Sequence, residues 1–413
     1  MDVGIVERNP EAPPRVPAPP AGREAPVAAL TRDAGSDRAA AARLEEIREY
    51  FHDQYSQRDV VARTATKSGQ HVDWVPAESQ TPDGGPLAAA PPTASVPEAD
   101  TAAPLNGIEA GPPGTVPLLR KPVETLRPAG TLQDYLAKGP RQKALPPPDA
   151  LEAPAVAVPA VAAAVHKYAH AAQWVTCYGT EGYINTWKPY VQWSNEFSLG
   201  QLWLARGSGA GLQTVEAGVQ VLKDLYGDWE PHVFIYYTTC GYTRSGANVG
   251  GYNTDVGGFV QASTTVFPGM NVALSVPGGP AYDLRLKVQL FDGNWWIQVG
   301  DQWMGYYPAS LYNAAGLQSQ SDLADWGGEI VDDSATHPEP TKTWMGSGAF
   351  PPGGFGWAAY MRNLAYQSDP AGTMTPLQGA PSVTNPASYD IVTDFSGTST
   401  WGSNFYFGGP GGV

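Results

Sequence analysis

An all-β fold, an antiparallel sandwich, is what this chain of 413 residues predicts, and three observations carry the expectation. From residue 167 onward, short runs rich in β-branched and aromatic residues are bounded by Gly, Asn and Asp, the pattern of strands in a sandwich. Composition divides near residue 160: residues 1–159 hold 25 of the 40 prolines and one of the 13 tryptophans, Trp74. The aromatic material for a large core therefore lies almost wholly in the second part, where no long helical period occurs.

Residues 1–35 are Pro/Ala-rich and are expected to be disordered, because they hold little apolar matter to offset the entropy of ordering. Leu44, Ile47, Phe51 and Tyr55 recur at three- and four-residue spacing and predict a helix over 37–59. Residues 59–66 and 71–75 flank a Lys-Ser-Gly-Gln turn and read as a β-hairpin. Residues 79–159 read mainly as linker, interrupted by a short helix at 131–138 on which Leu132, Tyr135 and Leu136 are apolar. Residues 144–164 are nearly all Ala, Pro and Val, a composition expected of an exposed, protease-accessible hinge. Strands are predicted at 200–204, 214–222, 232–239, 258–265, 283–291 and 295–299, with one or two more in 390–407; 308–313 and 317–324 are short helical turns at best. The chain thus divides into 1–35, a helix-plus-hairpin region 36–143, the hinge 144–164 and the sandwich 165–413.

Net charge is −15, with both parts acidic, which disfavours a nucleic-acid partner. No run approaches the roughly 18 apolar residues a membrane span needs, so no membrane partner is expected. The first 25 residues are charged and proline-rich, with no apolar stretch of a secretory signal. Two cysteines do not make a disulfide scaffold; Cys177 and Cys240 read either as one bridge or as two buried thiols.

Several chemistries are disfavoured by spacing. No Gly-x-Ser-x-Gly elbow is present, and 207–211 has the wrong phase for one. His166 and His170 could share a helical face as metal ligands do, but no third ligand follows, and at the end of an Ala-rich stretch they read as surface residues. Asp332 and Asp333 could help hold calcium, although a solvated turn explains them more simply. No metal and no cofactor are expected, and the chain reads as a monomer. Trp295 and Trp296 are adjacent in a strand and point to opposite faces, so one is expected in the core and the other, with Trp303, Tyr306 and Tyr307, on a surface that could stack on sugars.

Two glutamates stand out. Glu216 lies in Thr214-Val215-Glu216-Ala217-Gly218 and Glu329 in Trp326-Gly327-Gly328-Glu329-Ile330, each a lone carboxylate in an apolar strand where burial is costly without a partner. Strand phase puts Glu216 with Gly218 and Gln220 on one face, and Glu329 with Gly327. Brought together, two carboxyls could share a proton and activate water; apart, each is an ordinary solvent-facing strand residue.

At these residues the sequence resembles the neprosin family of glutamic peptidases. The resemblance runs in order through Gly200-Gln201-Leu202-Trp203, Thr214 to Gly218, Tyr226-Gly227-Asp228, Gly258-Phe259-Val260-Gln261, Asn294-Trp295-Trp296, Gly305-Tyr306-Tyr307-Pro308, Trp326-Gly327-Gly328-Glu329 and Phe405-Tyr406-Phe407-Gly408-Gly409-Pro410-Gly411. Upstream, Gly69-Gln70-His71-Val72-Asp73-Trp74-Val75-Pro76 is similar to the hairpin of that family's activation peptide. The resemblance implies a curved, jelly-roll-like β-sandwich peptidase, secreted, made as a zymogen, active in acid and preferring to cleave at proline. Its catalytic glutamates fall on Glu216 and Glu329. Departures are the absence of Cys in 242–253 and of a visible leader.

The expected mechanism is a carboxyl pair sharing one proton, with Glu329 as base toward water and Glu216 as acid toward the carbonyl oxygen. Gln201, Gln261, Tyr306 and Trp326 are the candidates to support substrate or oxyanion, and the expected partner is a peptide or protein substrate, proline-rich ones included. A carbohydrate-cleaving or lectin-like sandwich, or an inactive homologue, would use the same carboxylates and aromatics differently.

Overall fold

The computed structural model describes residues 34–81, 83–92, 108–126, 128, 130–138, 165–333, 337 and 339–412. The segment expected to be disordered lies outside these but for its last two residues, and the 144–164 hinge lies wholly outside.

Helix α1 (Ala34–Ser56) buries Ile47, Phe51 and Tyr55, residues four apart and so on one face. The hairpin β1 (Ala62–Ala65) and β2 (His71–Pro76) forms as its pattern requires, and β3 (Thr115–Arg120) adds a third antiparallel strand. β3 corrects the linker reading: Pro117 hides a strand, and an edge strand tolerates a residue that lacks an N–H. Trp74 and Asp73 are fully buried here; Asp73 is held by Arg58, Arg63 and Arg120, and the Trp74 indole donates to Thr64. The short helix α2 (Leu132–Leu136) starts at a capping box in which Thr131 and Asp134 satisfy each other's backbone N–H groups.

Two larger sheets form the predicted sandwich. One contains β4 (Val165–Cys177), β6 (Ser198–Arg206), β7 (Gln213–Val221), β8 (His232–Thr238), β9 (Gly250–Tyr252), β14 (Ser321–Asp332) and β17 (Ala380–Val383), in the order β17-β4-β14-β6-β7-β8-β9. The other contains β5 (Gly179–Asn185), β10 (Val260–Gln261), β11 (Asp283–Phe291), β12 (Asn294–Val299), β13 (Gln302–Pro308), β15 (Ala359–Gln367), β18 (Asp390–Asp394) and β19 (Asn404–Gly408), in the order β10-β13-β12-β11-β5-β15-β19-β18, with β16 (Met374–Pro376) beside β15. All the pairings are antiparallel.

The core lies between these sheets. A Cβ on Gly200 of β6 would meet Ile184 and Met361 and approach Phe407, all on the opposing sheet. Leu202, Val215, Ala217 and Trp326 therefore point into the sandwich, and their alternates, Gln201, Glu216 and Glu329, point out of it. That outer face is not open, because residues before 139 cover it: Tyr135 and Leu136 are buried, and Tyr135 stacks edge-on against Phe51 of α1.

Two further expectations are corrected, and the two open readings of the cysteines are decided. The predicted turn at 317–324 runs into β14, a strand buried on both faces and hence without the alternation that announces one. Cys177 and Cys240 are both free thiols: they end β4 and follow β8, strands separated in the sheet by β14, β6 and β7, and four strand spacings of about 4.8 Å far exceed what a disulfide spans. Asp332 and Asp333 are buried, not solvated; Lys167 donates to Asp332 at 2.7 Å and Asn195 to Asp333 at 2.7 Å.

Glu196, buried in the turn before β6, accepts from the Thr341 and Thr343 hydroxyls and from the Asp333 N–H, and so pins the 341–343 segment. Burial outweighs these bonds and raises its pKa from 4.5 to about 7. A raised carboxyl pKa favours the folded state in acid, and the advantage is lost as pH rises from 4.5 through 7. Glu196→Gln should therefore add up to about 3 kcal/mol of stability at pH 8 and leave stability at pH 4 unchanged, measured by denaturant unfolding at the two pH values.

Candidate active site

Backbone register builds the site. Gln201 on β6 lies in one row with Gly327 on β14 and Gly218 on β7, so a long polar side chain is flanked by two residues without one. Neither glycine could be replaced without moving backbone: a Cβ on Gly218 would come within 2.2 Å of the Gly200 carbonyl oxygen, and one on Gly327 within 2.4 Å of the His170 Cβ. Glu329 and Glu216 lie diagonally to either side of Gln201, on strands two apart in the sheet, Glu329 level with Leu199 and Glu216 with Trp203 of β6.

Both carboxylates are fully buried, and their side chains converge on Lys138, two residues beyond α2. The Lys138 ammonium donates to Glu216 Oε2 at 2.5 Å and to Gln201 Oε1 at 2.9 Å, and lies 2.8 Å from Glu329 Oε2. Its three N–H groups thus have three acceptors, which a buried cation needs. Glu216 Oε1 also accepts from the Tyr242 hydroxyl at 2.7 Å and the Thr214 hydroxyl at 2.8 Å. Glu329 accepts from Gln201 Nε2 at 3.0 Å and pairs through Oε1 with His166 Nδ1 at 2.6 Å.

Charge follows from this arrangement. Burial pushes the Glu329 carboxyl up, but the Lys138 ammonium and His166 together outweigh it and bring the pKa from 4.5 to about 2. Burial pushes Lys138 down, yet the two carboxylates hold it above its ordinary 10.5. Glu329 is therefore ionised in this state and pairs with an internal cation.

Of the residues singled out in the sequence, Glu216, Glu329 and Gln201 come together, and three do not. Gln261 lies on β10 at the edge of the other sheet, where its amide donates to the Ser263 and Val266 carbonyls. Tyr306 on β13 packs on Trp296 and accepts from the Ala88 N–H. Trp326 points into the sandwich core and donates to the Glu181 carbonyl; as neighbour to Gly327 in a strand it must face the side opposite Glu329. Trp295 and Trp296 are both buried, the second beneath Leu87 and Ala88, so neither offers a sugar platform.

Four contributors escaped sequence reasoning: Lys138, His166, Tyr242 and Thr214. His166 and His170 were expected at the surface, but β4 buries His170 and leaves the His166 side chain only 5% exposed, and His170 pairs with Asp325 at 2.9 Å. The available signal was the four-residue spacing, which keeps two side chains on one face of a strand as well as of a helix. Among the described residues, no cluster of His, Cys, Asp or Glu is arranged to hold a metal ion.

The family model described as Neprosin matches residues 194–410, just over half of the chain, and spans both glutamates. The chain belongs to the neprosin family. It is accordingly a glutamic peptidase by family, and its two glutamates sit in the part matched as neprosin, whereas Lys138 and His166 lie upstream of it. Solved structures similar to this neprosin-family chain include a scytalido-glutamic peptidase with a transition state analog inhibitor, at 10% identity over 59% of this chain and 98% of that chain, with a TM-score of 0.33. Another is SCP-B, a member of the Eqolisin family of peptidases in complex with the tripeptide Ala-Ile-His, at 10% identity over 59% of this chain and 96% of that chain, with a TM-score of 0.30.

Proposed function

We propose that this protein is a secreted, acid-active glutamic endopeptidase, made as a zymogen, that hydrolyses peptide bonds at proline with Glu216 and Glu329 as its catalytic pair. The observation that carries the reading is the Lys138 ammonium within 2.8 Å of both carboxylates. An ammonium and a water molecule have similar size and hydrogen-bond length, so the point Lys138 Nζ occupies is where a water bound to both carboxyls would sit. Residues 36–143 are then the pro-region, and α2 delivers its blocking residue. The proline preference rests on the family likeness alone.

With Lys138 withdrawn, two facing buried carboxyls cannot both ionise cheaply and hold one proton between them. Glu329 takes a proton from the water, whose oxygen bonds to the scissile carbonyl carbon, while Glu216 gives its proton to the carbonyl oxygen. The resulting gem-diol collapses when Glu329 returns its proton to the leaving nitrogen and Glu216 recovers one from a diol hydroxyl, which restores both residues. Gln201, between the two, keeps one amide N–H on Glu329 and has its second to donate to the diol.

Acid both opens and runs this device. The pKa of Glu329 in the closed state lies below its ordinary value, so the stabilisation it lends is present above pH 4.5 and is lost as pH falls toward 2. The shift corresponds to about 3 kcal/mol. The pro-region has a second buried ionic anchor, Lys121 on Asp255, whose carboxyl burial holds above its ordinary range and so nearer to protonation in mild acid.

The test is incubation of the full chain at pH 4 and pH 7.5, followed by a gel and by assay on a proline-containing peptide and on a polysaccharide panel. Shortening of the chain in acid, with peptide cleavage that vanishes near neutrality, is expected. An intact, inert chain in acid, or cleavage of polysaccharide in its place, sinks the reading.

A further inference from the structure

We infer that His166 is a positioning residue of the catalytic pair, the group that makes Glu329 rather than Glu216 the base. The inference rests on the function proposed above and adds to it a residue outside the two glutamates.

The geometry is specific. Residue 166 lies opposite Val331 in the β4–β14 ladder, which makes Glu329 its diagonal neighbour on the same face. From there His166 Nδ1 reaches Glu329 Oε1 at 2.6 Å, with the His side chain 5% exposed and the Glu side chain wholly buried. An ionised carboxylate only accepts, so Nδ1 carries the proton of this bond. Phe197 and Tyr168 wall the ring, at centroid distances of 5.8 and 6.3 Å, and fix its plane. The outer nitrogen, Nε2, is buried without a hydrogen-bond partner among the described residues. A structural histidine is normally tied down at both nitrogens; this one spends its single bond on Glu329.

The two carboxyls are thereby made unlike. Without Lys138, Glu216 keeps two neutral hydroxyl donors, from Tyr242 and Thr214, whereas Glu329 keeps an imidazole and the Gln201 amide. The charged and titratable groups around Glu329 are Lys138 from the pro-region, His166, Tyr168 and His170 from β4, Glu216 from β7, Tyr252 from β9 and Asp325 from β14 itself. His170 is spoken for by Asp325, so His166 is the imidazole that acts on Glu329 directly. By occupying Oε1 it also turns Oε2, the atom that faces Lys138, toward the water position. β4 follows the 144–164 hinge, so His166 stays with the processed enzyme.

The test uses the acid-treated full chain with His166→Leu, His166→Asn and the control His170→Asn, assayed for kcat, KM and pH profile on one peptide. His166→Leu should lower kcat on the order of 10²-fold with KM within a factor of about two. It should also move the acidic limb of kcat/KM up by about one pH unit, because an unsupported carboxyl protonates sooner. Asn carries an amide N–H close to the place of Nδ1 and should recover most of kcat; His170→Asn should leave the acidic limb where it is. Equal losses in the Leu and Asn variants, or a wild-type acidic limb in His166→Leu, overturn the inference while peptidase activity of the wild type leaves the proposed function standing. A wild type without peptidase activity overturns both. Should neither variant fold, proton NMR of the wild type decides: the Nδ1–H signal of His166 should change through the acidic kinetic limb, and a signal constant through it overturns the inference.

Discussion

Glu329→Gln should abolish peptide hydrolysis by the acid-treated chain, lowering kcat by at least about 10³-fold, and Glu216→Gln should do the same. The reasons differ. A glutamine at 329 cannot take a proton from water, so no nucleophile forms. A glutamine at 216 has no proton to give, so charge developing on the carbonyl oxygen is met by an amide N–H alone. Each change is nearly isosteric, and in the closed chain each leaves one carboxylate to pair with Lys138, so the fold should survive. Because both residues act on one water, the double variant should be hardly worse than either single one, the non-additivity of groups that work as a unit. Measured kcat for the three variants, beside circular dichroism to establish folding, makes the check. Either single variant retaining full activity excludes the pair.

Much of this was legible in advance because it depends on local pattern. Strand phase put Glu216 with Gly218, and Glu329 with Gly327, and those glycines prove to be the room in which Gln201 reaches between the carboxylates. The Gln261, Tyr306 and Trp326 readings failed for reasons of the third dimension. Gln261 and Tyr306 are on the other sheet of the sandwich, a division no local period encodes, and Trp326 has the wrong parity for its own strand neighbour Glu329. β14 was misread at its start because a strand buried on both faces has no alternation to see. Lys138 left no trace at all: a lysine two residues past a short helix is ordinarily a solvated end-cap, and only the docking of that helix over the sheet makes it a buried cation.

Removal of that cation should have the second large effect. Lys138→Met leaves a buried pair of carboxylates facing each other across an apolar side chain, and breaking a buried ionic contact by deleting one partner typically costs about 3–5 kcal/mol. The cost falls on the closed state, since the open state exposes the pair to water with or without the lysine. The variant's pro-region should therefore detach at a pH at least one unit higher than the wild type's, and the lag before peptide cleavage in mild acid should shorten or vanish. The effect must fade toward pH 2, as Glu329 takes up its proton in both proteins and the ammonium loses that one of its two charge partners. That fading separates a latch from general damage: a core made worse by the substitution would be worse at every pH. Lag time and the pH of half-processing, read from gels between pH 2 and pH 7, measure it. If Lys138→Met stays latent over the same range as the wild type, the lysine is a passenger in the cleft and the closed state is held by the Lys121 anchor and the apolar contacts of Tyr135 and Leu136.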